Sequence, residues 1–214
     1  MTDPSPPVRS RPRLGPGLLA RLGPPLVLLA ILSWTVVRPE PRGWEVATLE
    51  WIHRQASPGL DRVMLAVTRL GTWVGVGPLS LLLTAWLVRR RRWREVLFFL
   101  LAIFGAWGLS EVAKGVYGRV RPSLWTSPAP ESWFGFPSGH ALATMTLALA
   151  AALLTWQSRA RWWVVGGGVC LVLAVAFSRL YLGVHYPSDV LGAWFMAAAW
   201  VALLHEVLLP RGHR

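Results

Sequence analysis

Residues 178–189 read SRLYLGVHYPSD and stand between two apolar runs, WWVVGGGVCLVLAVAF at 162–177 and VLGAWFMAAAWVALLHEVLL at 190–209. Each run is close to the length a helix needs to cross a hydrocarbon core of about 30 Å. The segment between them is therefore a short connection at one membrane face. Into it the chain places a cation, Arg179, an imidazole, His185, and a carboxylate, Asp189. Pro187 suits the first position of a helix, and the spacing of His185 and Asp189 then sets both side chains on one face. A carboxylate so placed holds the proton of one ring nitrogen and leaves the other nitrogen free to attack or to bind. The alternative for the same residues is an arginine facing lipid headgroups and an aspartate that caps a helix.

The rest of the chain supports a membrane setting. Of its 214 residues 54% are hydrophobic and 14 are tryptophan, and the apolar residues come in long runs rather than one-sided stripes, the composition of an integral membrane protein. A net charge of +12 would suggest nucleic acid in a soluble protein. Here the arginines lie between apolar runs, where they set topology and meet anionic lipid, so no nucleic-acid partner is expected. The single cysteine, Cys170, sits within an apolar run; it offers neither a disulfide framework nor a thiol metal site and is assigned to packing. The first apolar run has no clear small-residue cleavage site after it and reads as an uncleaved anchor.

Six apolar runs, at about 18–37, 72–88, 96–113, 141–156, 162–177 and 190–209, predict an all-α fold: a polytopic membrane helical bundle of six transmembrane helices. Residues 1–17, rich in proline and arginine, are expected to be a disordered basic tail, 18–209 the six-helix domain, and 210–214 a short C-terminal tail. The connection 38–70 carries two helical patterns. In the second, Leu60, Val63, Met64 and Val67 share a face suited to lying on the membrane surface or against the bundle. Arginines cluster in the tail, in RRRRWR at 89–94, at Arg159 and Arg161, and at the C-terminus, all on one side by span parity. The positive-inside rule makes that side, and both termini, cytoplasmic. Trp34, Trp73, Trp86, Trp156, Trp162 and Trp163 fall near span ends, where indoles favour the interface.

Parity also collects three motifs on the opposite face. Beside SRLYLGVHYPSD stand KGVYGRVRP at 114–122, with Lys114, Arg119 and Arg121, and FPSGH at 136–140, with Pro137, Ser138, Gly139 and His140. Lys114 is the only lysine in a chain with 21 arginines, and a compact ammonium that approaches a phosphate oxygen as a point charge is one reason to keep it. Pro137 can start a helix, Gly139 allows close backbone approach, and the free N–H groups of a helix N-terminus favour an anion. HYPSD repeats that arrangement. Two helix N-termini with the three cations Lys114, Arg121 and Arg179 and the two imidazoles His140 and His185 suit a multiply charged oxyanion, most simply phosphate.

Lys114, Arg121 and Pro122, then Pro137–His140, then Ser178, Arg179, His185 and Asp189 resemble the three-part signature of the type 2 phosphatidic acid phosphatase superfamily, Lys-x6-Arg-Pro, Pro-Ser-Gly-His and Ser-Arg-x5-His-x3-Asp, with every spacing met. The resemblance implies that His185 is the nucleophile that takes the phosphoryl group, that Asp189 orients and charge-balances its ring, and that His140 protonates the leaving oxygen. It implies that Lys114, Arg121, Arg179 and the Ser138–Gly139 backbone hold the phosphoryl oxygens, and that no metal or other cofactor is needed. Phosphoryl transfer needs mainly in-line positioning and compensation of negative charge, which this residue set supplies. Tyr117 and Arg119 lie outside the signature, where headgroup contact and loop packing are both open; Glu111 pairs with Lys114 or marks the wet end of its span.

The function expected from this resemblance is a membrane lipid phosphatase, acting at the extracytoplasmic face on a lipid phosphate or diphosphate whose tail stays in the bilayer. Polyprenyl diphosphate, ranked first because so small a member resembles that subgroup, phosphatidate and phosphatidylglycerol phosphate all fit. The alternative is a phosphotransferase that passes the same group to another lipid or a sugar. A lipid transporter would place its charges at mid-membrane and repeat its halves; a vanadate-dependent haloperoxidase shares the site signature but is soluble.

Overall fold

The computed structural model describes residues 16–36, 41–131 and 134–209. Among them are eight α-helices and no strand: α1 (Pro16–Val36), α2 (Gly43–His53), α3 (Pro58–Arg69), α4 (Trp73–Arg89), α5 (Trp93–Tyr117), α6 (Gly139–Thr155), α7 (Arg161–Tyr181) and α8 (Pro187–Leu208). The six apolar runs become α1 and α4 to α8, and the two patterns of the 38–70 connection become α2 and α3. Four stretches are long and apolar enough to cross a membrane: Pro58–Arg89, in which α3 leads into α4, then α5, α7 and α8; α1, through Leu22–Trp34, and α6 are shorter apolar helices. The expected tails, 1–17 and 210–214, fall outside the described residues except for the two that open α1.

The short α6 is central, packed on α5, α7 and α8, while α8 also carries α1 on its far side. Its interface is built from small side chains, with Ala106, Ala113, Ala141, Ala176, Ala193 and Ala197 buried together around Leu142, Val190 and Met196. In lipid there is little hydrophobic force between helices, so close backbone approach through alanine replaces it with dispersion contact. Toward the other end of the bundle larger residues fill the space, Phe98, Phe99, Leu147, Leu154, Val201 and Leu204 among them. Outward-facing tryptophans include Trp34, Trp73, Trp156, Trp162 and Trp163, all more than half exposed, as interfacial indoles require.

The two ends of the bundle differ in charge. At one end Arg90 and Arg92 of the α4–α5 turn lie beside Gln157 and Ser158 of the α6–α7 turn, and Arg91 and Arg94 lie near His205 and Leu208 of α8. At the other end α2 and α3 cover the mouth. The face α3 buries is Leu60, Met64 and Leu65, packed on Ile52, Tyr181, Leu182 and Val184, and the Tyr181 hydroxyl donates to Asp61 Oδ1 at 2.6 Å.

Three expectations are corrected here. Val63 is 51% exposed and not on the buried face of α3, because α7 meets the helix on the side of Leu65. Cys170 is exposed on the outer surface of α7 rather than packed. Pro137 does not start a helix: α6 opens at Gly139 with Ser138 as its N-cap, leaving the proline in the approach to the turn.

That approach is held by Phe136, fully buried against α8. A Cβ on Gly192 of α8 would lie 2.3 Å from Phe136 Cε2, far inside contact, so glycine is what lets α8 and the 136–140 turn meet. We expect Gly192→Ala to lower stability by about 1–3 kcal/mol, the usual cost of overpacking, and to reduce activity by displacing the turn. Thermal unfolding in detergent, with activity per folded molecule, measures both; an unchanged melting temperature would show that the ring has room to yield.

Candidate active site

Each signature motif lies at a helix end whose local chemistry fixes it. Gly118 caps α5 in the left-handed region, φ 54°, and donates its N–H to Lys114 O at 3.0 Å; the turn throws Arg119 and Arg121 back over the bundle. Gly183, φ 66°, reverses the chain after α7, and a Cβ there would lie 2.6 Å from the Trp125 ring, so both the backbone angle and the close packing require glycine. Pro187 then opens α8. The Ser138 N–H donates to Asp189 O at 3.1 Å and so ties the start of α6 to the start of α8.

His185 is 1% exposed. Arg121 Nη1 stands 2.8 Å from its Nε2, and since a guanidinium only donates, Nε2 is the accepting nitrogen and Nδ1 carries the proton. Nδ1 faces Asp189 Oδ2 at 3.4 Å, longer than a good hydrogen bond, and has no closer partner among the described residues. Burial, then the charges of Arg179 and Arg121, hold this imidazole well below the ordinary histidine value, that is, neutral. An uncharged ring with its lone pair on Nε2 and its proton toward a carboxylate is a prepared nucleophile.

Arg179, also 1% exposed, donates to Thr68 Oγ1 at 2.6 Å and to Glu131 Oε1. The other oxygen of Glu131 meets Arg121 Nη2 at 2.7 Å. Burial pushes the Glu131 carboxyl up, but Arg179 and Arg121 outweigh it and bring it down to about 2. The carboxylate thus bridges two guanidiniums beside His185, the arrangement an oxyanion adopts between cations.

Lys114 Nζ pairs with Glu111 Oε1 at 2.8 Å and lies 3.7 Å from where a Cβ on Gly139 would stand, over the open N–H groups of the first turn of α6. The Ser138 hydroxyl, in that turn, is buried and has no hydrogen-bond partner among the described residues. His140 lies between the two groups, under the electrostatic influence of Arg179, Glu131, Arg121 and Lys114. Lys114 and His140 also line a cavity of about 280 Å³ that runs down between α4, α5 and α6 past Trp73, Val76, Ile103 and Leu142. All eight site residues expected from sequence therefore gather at one end. Among the described residues no three His, Cys, Asp or Glu side chains converge as metal ligands.

The N-terminus of α8 carries its own carboxylate, since Asp189 lies in the first turn and accepts the N–H of the N-cap residue Tyr186 at 2.9 Å. Asp189 both caps its helix and faces the histidine, whereas Arg179 does not face lipid headgroups but is buried on Thr68 and Glu131. Sequence reasoning missed Glu131, Thr68 and Glu45, and left Arg119 open. Arg119 proves to bind Asp189 Oδ1 at 2.5 Å and Glu45 Oε2 at 2.9 Å. The available signal for Glu131 was that it is the sole acid between residues 118 and 138, on the side where the cations collect.

A family model described as the PAP2 superfamily matches residues 95–212, a range that contains every site residue read from the sequence. The chain is 28% identical over 172 residues to an undecaprenyl-diphosphatase of Sulfolobus acidocaldarius, spanning 76% of this chain and 77% of that protein. It is 36% identical over 146 residues to phosphatidylglycerophosphatase B of Bacillus subtilis, spanning 64% and 70%. The crystal structure of a transmembrane PAP2 type phosphatidylglycerolphosphate phosphatase from Bacillus subtilis superposes with a TM-score of 0.78 at 26% identity, over 87% of this chain and 95% of that one.

The Glu131 carboxyl titrates lower in the folded chain than its ordinary value of 4.5. Its ion pairs therefore stabilise the fold fully above that pH, and the contribution is lost as pH falls from 4.5 toward 2. Glu131→Gln is expected to melt below the wild type at pH 7, with the gap closing through that window. A gap that stayed constant down to the lower limit would mean that the carboxylate charge contributes nothing.

Proposed function

Starting from a chain that belongs to the PAP2 superfamily and, like its relatives, is a multi-pass membrane lipid phosphatase, we propose that it hydrolyses a lipid phosphate or diphosphate at the extracytoplasmic face through a phosphohistidine on His185. The observation behind this reading is the place of Glu131, whose carboxylate bridges Arg121 and Arg179 next to His185. A phosphate that took the place of this carboxylate would keep both arginines and draw Arg121 off Nε2, releasing the lone pair for in-line attack.

On this reading the Nε2–P bond forms as the P–O bond to the lipid breaks. Asp189 balances the charge that the ring acquires, and His140 delivers a proton to the departing oxygen. Water, giving its proton to His140, then breaks the N–P bond and frees inorganic phosphate. Lys114, Arg121, Arg179 and the Ser138–Gly139 backbone hold the phosphoryl oxygens throughout, so the charge compensation that other phosphatases draw from a metal comes from side chains and a helix N-terminus. The apolar cavity beneath Lys114 and His140 suits the first part of a lipid tail. The two relatives act on different lipids, and polyprenyl diphosphate is the substrate we place first.

The same reading includes six membrane-crossing helices in a domain of residues 18–209, with both termini and the arginine-bearing turns in the cytoplasm. With Cys170→Ala as background, cysteines at Thr126 and Arg90 should react with an impermeant reagent in intact cells only at 126; labelling at 90 would reverse the orientation.

The two histidines should separate by leaving group. His185→Ala should lose turnover on every substrate, and no phosphoenzyme should be trapped. His140→Ala should cost about 10² to 10⁴-fold on an alkyl phosphate such as phosphatidate and much less on a nitrophenyl phosphate, whose leaving group departs as a stable anion. Equal losses on both substrates would leave His140 as a binding group only, and a phosphohistidine trapped in the His185 variant would exchange the roles.

A further inference from the structure

Glu45, on α2, lies 69 residues before the first signature residue, Lys114, yet it is 1% exposed. A carboxylate at that depth persists only if paired and hydrogen-bonded. Its partner is Arg119, whose Nη2 reaches Oε1 at 3.1 Å and Oε2 at 2.9 Å. The other nitrogen of Arg119, Nη1, donates to Asp189 Oδ1 at 2.5 Å and to Ser188 Oγ at 2.6 Å. The Ser188 hydroxyl in turn donates to Glu45 Oε1. The guanidinium lies 4.5 Å over the Tyr186 ring, which together with these bonds leaves it a single orientation. Asp189 therefore has one oxygen fixed by Arg119, while the other accepts from the Tyr186 backbone at 2.9 Å and faces His185 Nδ1 at 3.4 Å.

Charge balance gives this chain its function. Arg119 paired with Asp189 alone would neutralise the carboxylate and leave nothing to offset a cationic imidazole. With Glu45 on the far side of Arg119, the three groups carry one net negative charge, held on the side of the ring. We propose that Glu45 is a positioning residue for the reaction: acting through Arg119, it aims Asp189 at His185 and preserves the carboxylate's charge for the imidazolium that forms when Nε2 bonds to phosphorus. The proposal rests on the phosphohistidine reading above. It explains why Arg119, outside the signature, is buried in the site, and what α2 contributes by lying across the mouth.

The charged and titratable groups bearing on His185 are Asp189 from α8, Arg179 from α7, His140 from α6, and Arg121 and Glu131 from the α5–α6 connection, with Arg119 and Glu45 behind Asp189. Among these, Arg119 and Glu45 reach the ring only through Asp189. Removing the negative charge of Glu45 should lower the basicity of His185 and move the acid limb of kcat/KM to lower pH.

The test uses the full chain in detergent with nitrophenyl phosphate, comparing Glu45→Gln in the wild-type and Asp189→Asn backgrounds. In the wild-type background kcat should fall by about tenfold to a hundredfold, the usual effect of an outer-shell partner, with KM nearly unchanged and the acid limb displaced. In the Asp189→Asn background the substitution should cost nothing more, because the connection is already cut. An equal loss in both backgrounds, or a kcat and pH profile superimposable on the wild type, overturns the proposal and leaves Glu45 as an anchor of α2. Should Glu45→Gln not fold, Glu45→Asp, which keeps the buried charge but sets the carboxylate back from Arg119, carries the same comparison of kcat in the two backgrounds. An Asp189→Asn protein as active as the wild type would overturn the phosphohistidine reading itself, which the unchanged activity of that single variant would distinguish from failure of the relay alone.

Discussion

A guanidinium almost wholly removed from solvent must have an anion beside it, and the end of the bundle that carries the site is arranged around that requirement for Arg179. Desolvating such a charge costs several kcal/mol, which only well-placed partners offset. Thr68 at the end of α3 and Glu131 from the α5–α6 connection provide them. The need for those partners draws α3 down onto α7 and the long connection back over the bundle, and it brings Arg121 in alongside as the second partner of Glu131. The apolar packing of α5, α6 and α8 beneath holds the ends of these elements steady; the polar cap then sets where each charge sits.

The helices were legible because the apolar runs are long and their ends are marked: Pro187 opens α8, and Gly118 and Gly183 close α5 and α7. Span parity then sufficed to bring Lys114, His140 and His185 to one end. Side-chain bridges between segments far apart in sequence were not legible. Glu45 and Arg119, or Arg179 and Thr68, have no periodicity or spacing that connects them, because their meeting depends on how a surface helix docks rather than on any local pattern. The exposed Val63 has the same origin, since α3 offers apolar residues over a wide arc and only the position of α7 decides which of them are covered. Pro137 misled for a different reason: proline is compatible with a first helical position and equally with the residues before a cap, and the buried Phe136 selects the second.

Two layers of charge surround His185. Arg121 and Arg179 face the space a phosphate would fill, and Arg119 and Glu45 stand behind Asp189, away from it. The layers leave the chain side by side, Arg119 and Arg121 being two residues apart, and they meet again at the imidazole and the start of α8. On the proposed mechanism the front cations exchange one anion for another while Asp189 holds the His185 tautomer from behind.

Glu131 has a kinetic consequence that follows from its attachment to the chain. A carboxylate carried on the α5–α6 connection stays tethered beside the cradle it occupies, whatever the concentration of free phosphate. Every anion that leaves is followed by one that cannot diffuse away, so on the proposed mechanism the carboxylate competes most effectively with the smallest ligand, free inorganic phosphate, which has no tail to hold it. A lipid substrate adds the hold of its tail in the cavity below Lys114 and prevails. The tethered acid would thus bias the cradle toward taking in a lipid-borne phosphate and giving up a bare one, lending direction to the cycle without a moving lid.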